Sequence, residues 1–309
     1  MSLESLPCPK CGAMLVAAAG VVTKAERFED CLRRCEPCGV AWSNGASEPR
    51  AIWRDPLDNV PEAVRSGLDD AIAKALNVRN REMKRVKLAS ERSEDAITWT
   101  VMQYLVGYAE GDAHWRLLLG RHVPATPIPS PTTLIWGVPA SGTEANELRT
   151  AIEAVLDRLG EALASRTEPD VVLDFGALGI VLIEVKYRSG NDRQDDKPWS
   201  KYVDDPSAFL DPAAARESGR YELVRNWRLG CDLARGRPLT LVNLVVQRET
   251  GAERARTELL ERSLRLDGNR RFLRLTFGEL LADVPAPWPA WFATYVASRG
   301  LVAGQSDGE

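Results

Sequence analysis

Asp170, Glu184 and Lys186 lie within a largely apolar stretch, Glu168 to Arg188, EPDVVLDFGALGIVLIEVKYR. Apolar, β-branched runs on either side of the Gly-containing segment Phe175 to Gly179 predict two adjacent strands. Side chains alternate along a strand. Ile180, Leu182, Glu184 and Lys186 therefore share one face, and Val181, Ile183, Val185 and Tyr187 share the other. A strand apolar on both faces is a buried one, and burying charge is costly unless it is paired or bound to a metal. Asp170, at the start of the first strand, comes level with Glu184 and Lys186 in a hairpin of this length. The oxygens of Asp170 and Glu184, joined by a backbone carbonyl at Val185, suit Mg²⁺ or Mn²⁺; Mg²⁺ binds through one or two carboxylates and keeps several waters. A cation held there activates water and offsets phosphoryl charge, while Lys186 orients that water or stabilises the transition state. These are the groups that hydrolyse a phosphodiester.

Pro169-Asp170, followed after 13 residues by Glu184-Val185-Lys186, resembles the motif of the PD-(D/E)xK nuclease superfamily. The resemblance implies a restriction-endonuclease-like α/β domain, a mixed sheet flanked by helices, acting as a metal-dependent endonuclease, on DNA first of all, in a defence, restriction or repair setting. It also implies an additional acid from a helix ahead of the hairpin. Glu94 is the candidate, with Asp95 second, at the start of EDAITWTVMQYLVGYA behind a Ser93 N-cap; the helix dipole favours acids there in any case. Ile97, Val101, Leu105 and Tyr108 form that helix's apolar stripe. In the region ARESGRYELVRNWRLGCDLARG, read as one helix, Tyr221, Glu222 and Arg225 are expected to face the site or a phosphate. The alternative is a catalytically silent nucleic-acid-binding or scaffold subunit of a larger complex.

Five of the six cysteines fall in the first 38 residues, four of them in two knuckles, Cys8-Pro9-Lys10-Cys11-Gly12 and Cys35-Glu36-Pro37-Cys38-Gly39. Paired CxxC knuckles in a chain without an export signal predict a tetrahedral structural Zn²⁺ site, not disulfides. With the β-prone LVAAAGVVT between them, residues 1–48 resemble a zinc ribbon, in which metal replaces a core too small to fold alone. Cys31 and Cys231 read as bystanders. The ribbon serves either as a docking module or as a cap on the next domain.

The supporting elements follow from periodicity. Residues 49–92 read as a helical connector with Val64, Leu68, Ile72 and Leu76 on its buried stripe. Its end, Arg79 to Arg92, holds six basic and two acidic residues, so Arg79, Arg81, Lys84, Arg85 and Lys87 are the expected phosphate contacts. Residues 93–300 form the nuclease-like domain: a strand in TTLIWGV, a helix over 144–165, the hairpin, and then strands alternating with helices, the pattern of an α/β sheet. The polar segment after the hairpin, with Arg193, Lys197, Trp199 and Lys201, reads as a flap or surface loop. Residues 301–309 are an expected disordered tail. The formal charge of −4 gives no global attraction to nucleic acid, so binding must rest on local basic patches. Two isolated histidines, His114 and His122, leave little scope for histidine chemistry. No apolar run of roughly 18 residues and no secretory signal are visible, so a cytoplasmic protein without a membrane span is expected. Its expected partner is nucleic acid, DNA ahead of RNA, and a protein partner or homo-oligomer is compatible with this.

Overall fold

β-branched and leucine-rich runs with no polar face build the centre of the molecule. The computed structural model describes residues 3–20, 23–45, 48–120, 123, 126–140, 146–187 and 197–302; His122, Arg193 and residues 303–309 lie outside them. In chain order, β1 (Leu6–Pro7) and β2 (Met14–Leu15) form a short hairpin, and β3 (Arg33–Cys35), β4 (Val40–Trp42) and β5 (Ala51–Trp53) form an antiparallel sheet. Helices α1 (Leu68–Lys74), α2 (Arg81–Leu88), α3 (Glu94–Gly107) and α4 (Ala113–Leu119) follow. Next come β6 (Thr132–Ile135), β7 (Val138–Pro139), α5 (Asn146–Arg158), β8 (Val171–Asp174) and β9 (Ile180–Lys186). The chain closes with α6 (Ser200–Val203), α7 (Pro212–Glu217), α8 (Tyr221–Ala234), β10 (Leu239–Val245), α9 (Gly251–Ser263), β11 (Arg270–Thr276), α10 (Phe277–Ala282) and α11 (Ala290–Ser298).

The six-stranded sheet runs β11-β10-β9-β8-β6-β7 and is mixed. β9, β10 and β11 are parallel, whereas β8, β6 and β7 each run antiparallel to their neighbour. Alternation in β9 divides the core as the sequence predicts. Val181, Ile183, Val185 and Tyr187 pack with residues of α1, α3, α4, α10 and α11 on one face. Ile180 and Leu182 pack with residues of α5, α6 and α8 on the other. Helices thus cover both faces, as a sheet apolar on both sides requires.

Several boundaries differ from expectation. β5 pairs with β4 beyond residue 48, so the N-terminal sheet runs on to Trp53. The segment after it is no free connector: Val64, Leu68, Ile72 and Leu88 enter the main core, and Leu76 the core of the opposite face. Backbone bonds from Trp53 to Ala89 and from Glu91 to Ala51 knit β5 to the residues ahead of α3. α3 buries far more than a stripe, including Trp99, Met102 and Tyr104, because it is wedged between the sheet and α11; Tyr108 is instead exposed. The region 212–234 is two helices, broken at Ser218-Gly219, where Gly219 adopts φ +70°. The helix expected over 144–165 ends at Arg158, and Gly160 (φ +65°) follows it. Ordered chain passes residue 300, for Leu301 is buried in the main core. No helix of the described residues is long and apolar enough to cross a membrane.

TTLIWGV is a tight hairpin, not one strand. Trp136 (φ +52°) and Gly137 (φ +76°) make its two-residue turn, both left-handed as hairpin turns of this length require. Trp136 tolerates this conformation because it is fully buried, stacks on Trp99 and bonds through its backbone to Asp170 and Leu76. A Cβ at Gly137 would come within 2.2 Å of the Leu76 side chain. Gly137→Ala is therefore expected to lower unfolding free energy by about 2 kcal/mol or more, through strain and overpacking together. Urea titration of the purified variant measures it.

Candidate active site

The antiparallel register pairs Val171 with Ile183, which sets Asp170, one residue ahead of β8, opposite Glu184. Asp170 Oδ2 accepts the Val185 amide at 2.8 Å. Glu184 Oε1 accepts from Lys186 Nζ at 2.7 Å, and its Oε2 accepts from Asn226 Nδ2 at 2.8 Å. Lys186 Nζ lies 2.9 Å from Glu222 Oε2. Glu94, in the first turn of α3 behind the Ser93 cap, accepts the Tyr187 amide at 2.8 Å. The structure brings Glu94, Asp170, Glu184 and Lys186 to one cleft of about 750 Å³, lined also by residues of α2, α8 and the N-terminal module. Val185 joins through its amide, while its side chain faces the main core.

Burial governs the electrostatics of this group. It raises the Asp170 carboxyl well above the usual range, and the neighbouring charge of Glu184 adds to the effect. It pushes Glu184 up to about 7, against the attraction of Lys186 and together with the repulsion of Glu222. For Lys186 burial works the other way, but Glu184, Glu222, Asp170 and Glu94 outweigh it and keep the ammonium charged. Glu184 thus holds the close ammonium, which Glu222 also draws, while Asp170 opposite rests on the Val185 amide. Among the described residues only four cysteines bring three or more candidate ligand atoms within 4.8 Å of one another. Asp170 and Glu184 supply two carboxylates, the number with which Mg²⁺ binds when waters and substrate phosphates complete its shell.

A second charged group stands beside the first. Lys84 of α2 reaches Asp95 Oδ1 at 2.8 Å and Glu168 Oε1 at 3.0 Å, and its ammonium lies 4.6 Å from the centre of the Trp136 ring. Glu168 also accepts the Asn77 amide at 2.6 Å. Lys84 is therefore a buried tie between α2, the α3 N-terminus and the segment leading to Asp170, unlike the exposed phosphate contact expected of it. Glu168, read from sequence as a loop acid, is its buried partner.

The other expected phosphate contacts are scattered. Arg81 caps the chain at the Ala75 carbonyl and Arg85 pairs with Asp69 away from the cleft, whereas Arg79 and Lys87 are exposed and only Lys87 of these four lines the cleft. Tyr221 is buried, edge-on to Trp199 and Tyr202, so it meets no solvent-borne strand. Trp199 is itself buried, and Lys201 lies over the Tyr202 ring. Arg225 lies over the Tyr221 and Tyr202 rings, donates to Thr167 Oγ1 at 2.8 Å and reaches the cleft. Asn226 was not legible as a site residue. Its signal was spacing: Glu222, Arg225 and Asn226 stand at i, i+3 and i+4, on one polar face of the helix.

In the N-terminal module the Sγ atoms of Cys8, Cys11, Cys35 and Cys38 gather within 4.8 Å, with Cys11 and Cys35 3.8 Å apart. Four thiolates about 2.3 Å from one tetrahedral Zn²⁺ stand about 3.8 Å from each other, so the cluster can hold a structural metal such as zinc. Gly12 (φ +74°) and Gly39 (φ +61°) give each knuckle the left-handed residue that closes it. Cys31 is buried in a separate small core, its thiol donating to the Arg27 carbonyl, and Cys231 lies far off in α8. Comparison of the chain with protein-family models, curated proteins and solved structures finds no match.

Because the folded state raises the Glu184 carboxyl from about 4.5 to about 7, the fold binds this proton more tightly than the unfolded chain does. That contribution is present below pH 4.5 and is lost as pH rises through 7. Glu184→Gln in metal-free buffer should therefore gain on wild type between pH 4.5 and 8, by on the order of 2 kcal/mol, in paired melting curves. Elemental analysis should find one zinc per chain, lost together with thermal stability in Cys35→Ser and retained in Cys31→Ser.

Proposed function

We propose that the protein is a Mg²⁺-dependent nuclease of the PD-(D/E)xK type, with a restriction-endonuclease-like domain whose preferred substrate is DNA and whose setting is defence, restriction or repair. One observation carries the reading: the half-buried Asp170 and the buried Glu184 stand opposite one another on adjacent strands, with Lys186 held by Glu184, at the floor of an open cleft. The mixed sheet flanked by helices is the architecture such a site needs, and the acid Glu94 enters from a helix ahead of the hairpin, in keeping with the resemblance.

Asp170 and Glu184 would hold the cation, and the Val185 amide fixes the carboxylate of Asp170 toward β9. Bound there, Mg²⁺ supplies Lewis-acid polarisation of the phosphodiester and of water. Asn226 holds the second oxygen of Glu184, so that carboxylate keeps one orientation. Lys186, kept charged by its acidic surroundings, stabilises negative charge developing on the phosphoryl oxygens. Glu94 fixes the backbone just beyond Lys186 and holds negative charge beside the site.

The silent-subunit reading also has an observation in its favour. Lys186 is paired with Glu222 as well as Glu184, so its ammonium is already committed to two acids. Incubation of supercoiled plasmid and of single-stranded DNA with the protein, with and without Mg²⁺, separates the two. Mg²⁺-dependent cutting that drops at least about a hundredfold in Lys186→Ala and Glu184→Gln is expected, the scale on which loss of one charge-stabilising group acts. Cutting that persists in both variants would remove the site, and wild type without activity in Mg²⁺ or Mn²⁺ would favour the silent subunit.

A further inference from the structure

The cleft that holds Asp170, Glu184 and Lys186 is lined on its other parts by Lys24, Glu26 and Arg50 of the N-terminal module and by Lys87 and Arg92 beyond it. The cations nearest the acids are committed. Lys84, Lys186 and Arg225 each hold carboxylates, and Arg166 pairs with Asp157. Of the outer ones, Arg92 pairs with Glu48 and Lys24 with Glu26, but Lys87 and Arg50 hold no carboxylate among the described residues. Lys87 is exposed and its ammonium makes no hydrogen bond or ion pair among the described residues, and the Arg50 guanidinium reaches only the Ala25 carbonyl, at 3.5 Å. Lys24 holds Glu26, whose carboxyl is pulled below its usual range by Lys24 first and by Arg50 and Lys87 in addition. Three cations therefore gather around one acid, leaving a net positive rim on a chain of formal charge −4. Positive charge in excess of its acids, beside a recessed group of carboxylates, is what a polyanion needs to approach such a floor.

Size narrows the polyanion. The cleft, about 750 Å³, is open to solvent and its acids are recessed, so one strand can reach them whereas a duplex, whose major groove alone is roughly 12 Å wide, stays at its mouth. The carboxylates stand at its floor, with the Glu184 side chain 7% exposed. We propose that the cleft takes a single polynucleotide strand, and that Arg50 and Lys87, with Lys24, hold its phosphates, so that the cysteine module forms one wall of the substrate site. This rests on the nuclease reading for the identity of the ligand as a phosphodiester chain. It gives the N-terminal module a role beyond capping the next domain.

The test is fluorescence anisotropy of a labelled oligodeoxynucleotide, single-stranded or annealed as a blunt duplex, with the full-length protein in Mg²⁺-free buffer. The single strand should bind about tenfold tighter than the duplex. Arg50→Ala with Lys87→Ala should weaken it about tenfold and reduce the slope of log affinity against log salt by about 1.4, two phosphate contacts at about 0.7 each. Zinc content and melting temperature of that variant should match wild type, and Arg50→Lys with Lys87→Arg should restore binding. Duplex affinity equal to or above that of the single strand overturns the proposal, as does a variant that binds normally or a wild type that binds neither. If wild type cuts nothing in Mg²⁺ yet binds the single strand through Arg50 and Lys87, the nuclease reading fails and the strand-binding cleft stands.

Discussion

Desolvation of two like charges on paired strands is the constraint around which this molecule is built. Asp170 and Glu184 face one another across the end of the β8–β9 ladder, Glu184 buried and Asp170 half-buried. Such a pair is unfavourable alone, since each carboxylate loses hydration and repels the other. The surrounding elements supply partial compensation: an amide from Val185, an ammonium from Lys186 and an amide group from Asn226. The compensation stops short of neutrality, and a site left with excess negative charge is one in which a cation gains the most.

Lys84 shows how the rest of the chain is recruited to that constraint. Its ammonium joins α2 to both the start of α3, where Glu94 sits, and the segment entering β8, where Asp170 sits. A buried ion group is weak support for stability as such but strongly unfavourable to break, at about 3–5 kcal/mol for loss of one partner. The geometry of the acids thus depends on a helix that lies outside the main sheet. The β5 pairing with residues 89–91 extends the same dependence to the cysteine module.

What was legible in the sequence was what local periodicity determines. Alternation in GIVLIEVKY placed Glu184 and Lys186 on one face and gave the correct division of the core, and the cysteine spacing alone specified the cluster. What was not legible required knowledge of neighbours. A basic run reads as an exposed face, yet Lys84 within it is enclosed, because Asp95 and Glu168 come from elsewhere in the chain. Tyr221 reads as a contact residue but packs edge-on against Trp199 and Tyr202, at and just ahead of α6. The turn at Trp136-Gly137 has no Asn or Asp to announce it; only the burial of Trp136 against Trp99 makes the left-handed tryptophan acceptable.

The order of strands has one more consequence, for how the molecule behaves in a crowd of its own copies. An open sheet ends in rows of unpaired backbone groups, which invite a further strand from another chain. Here one border is β7, only two residues long and carrying Pro139, and the other is β11, which bears Arg270, Arg271 and Arg274. A short proline-bearing border and a cationic one resist end-to-end stacking of sheets. The fold can therefore keep a largely apolar sheet whose borders resist further strand pairing.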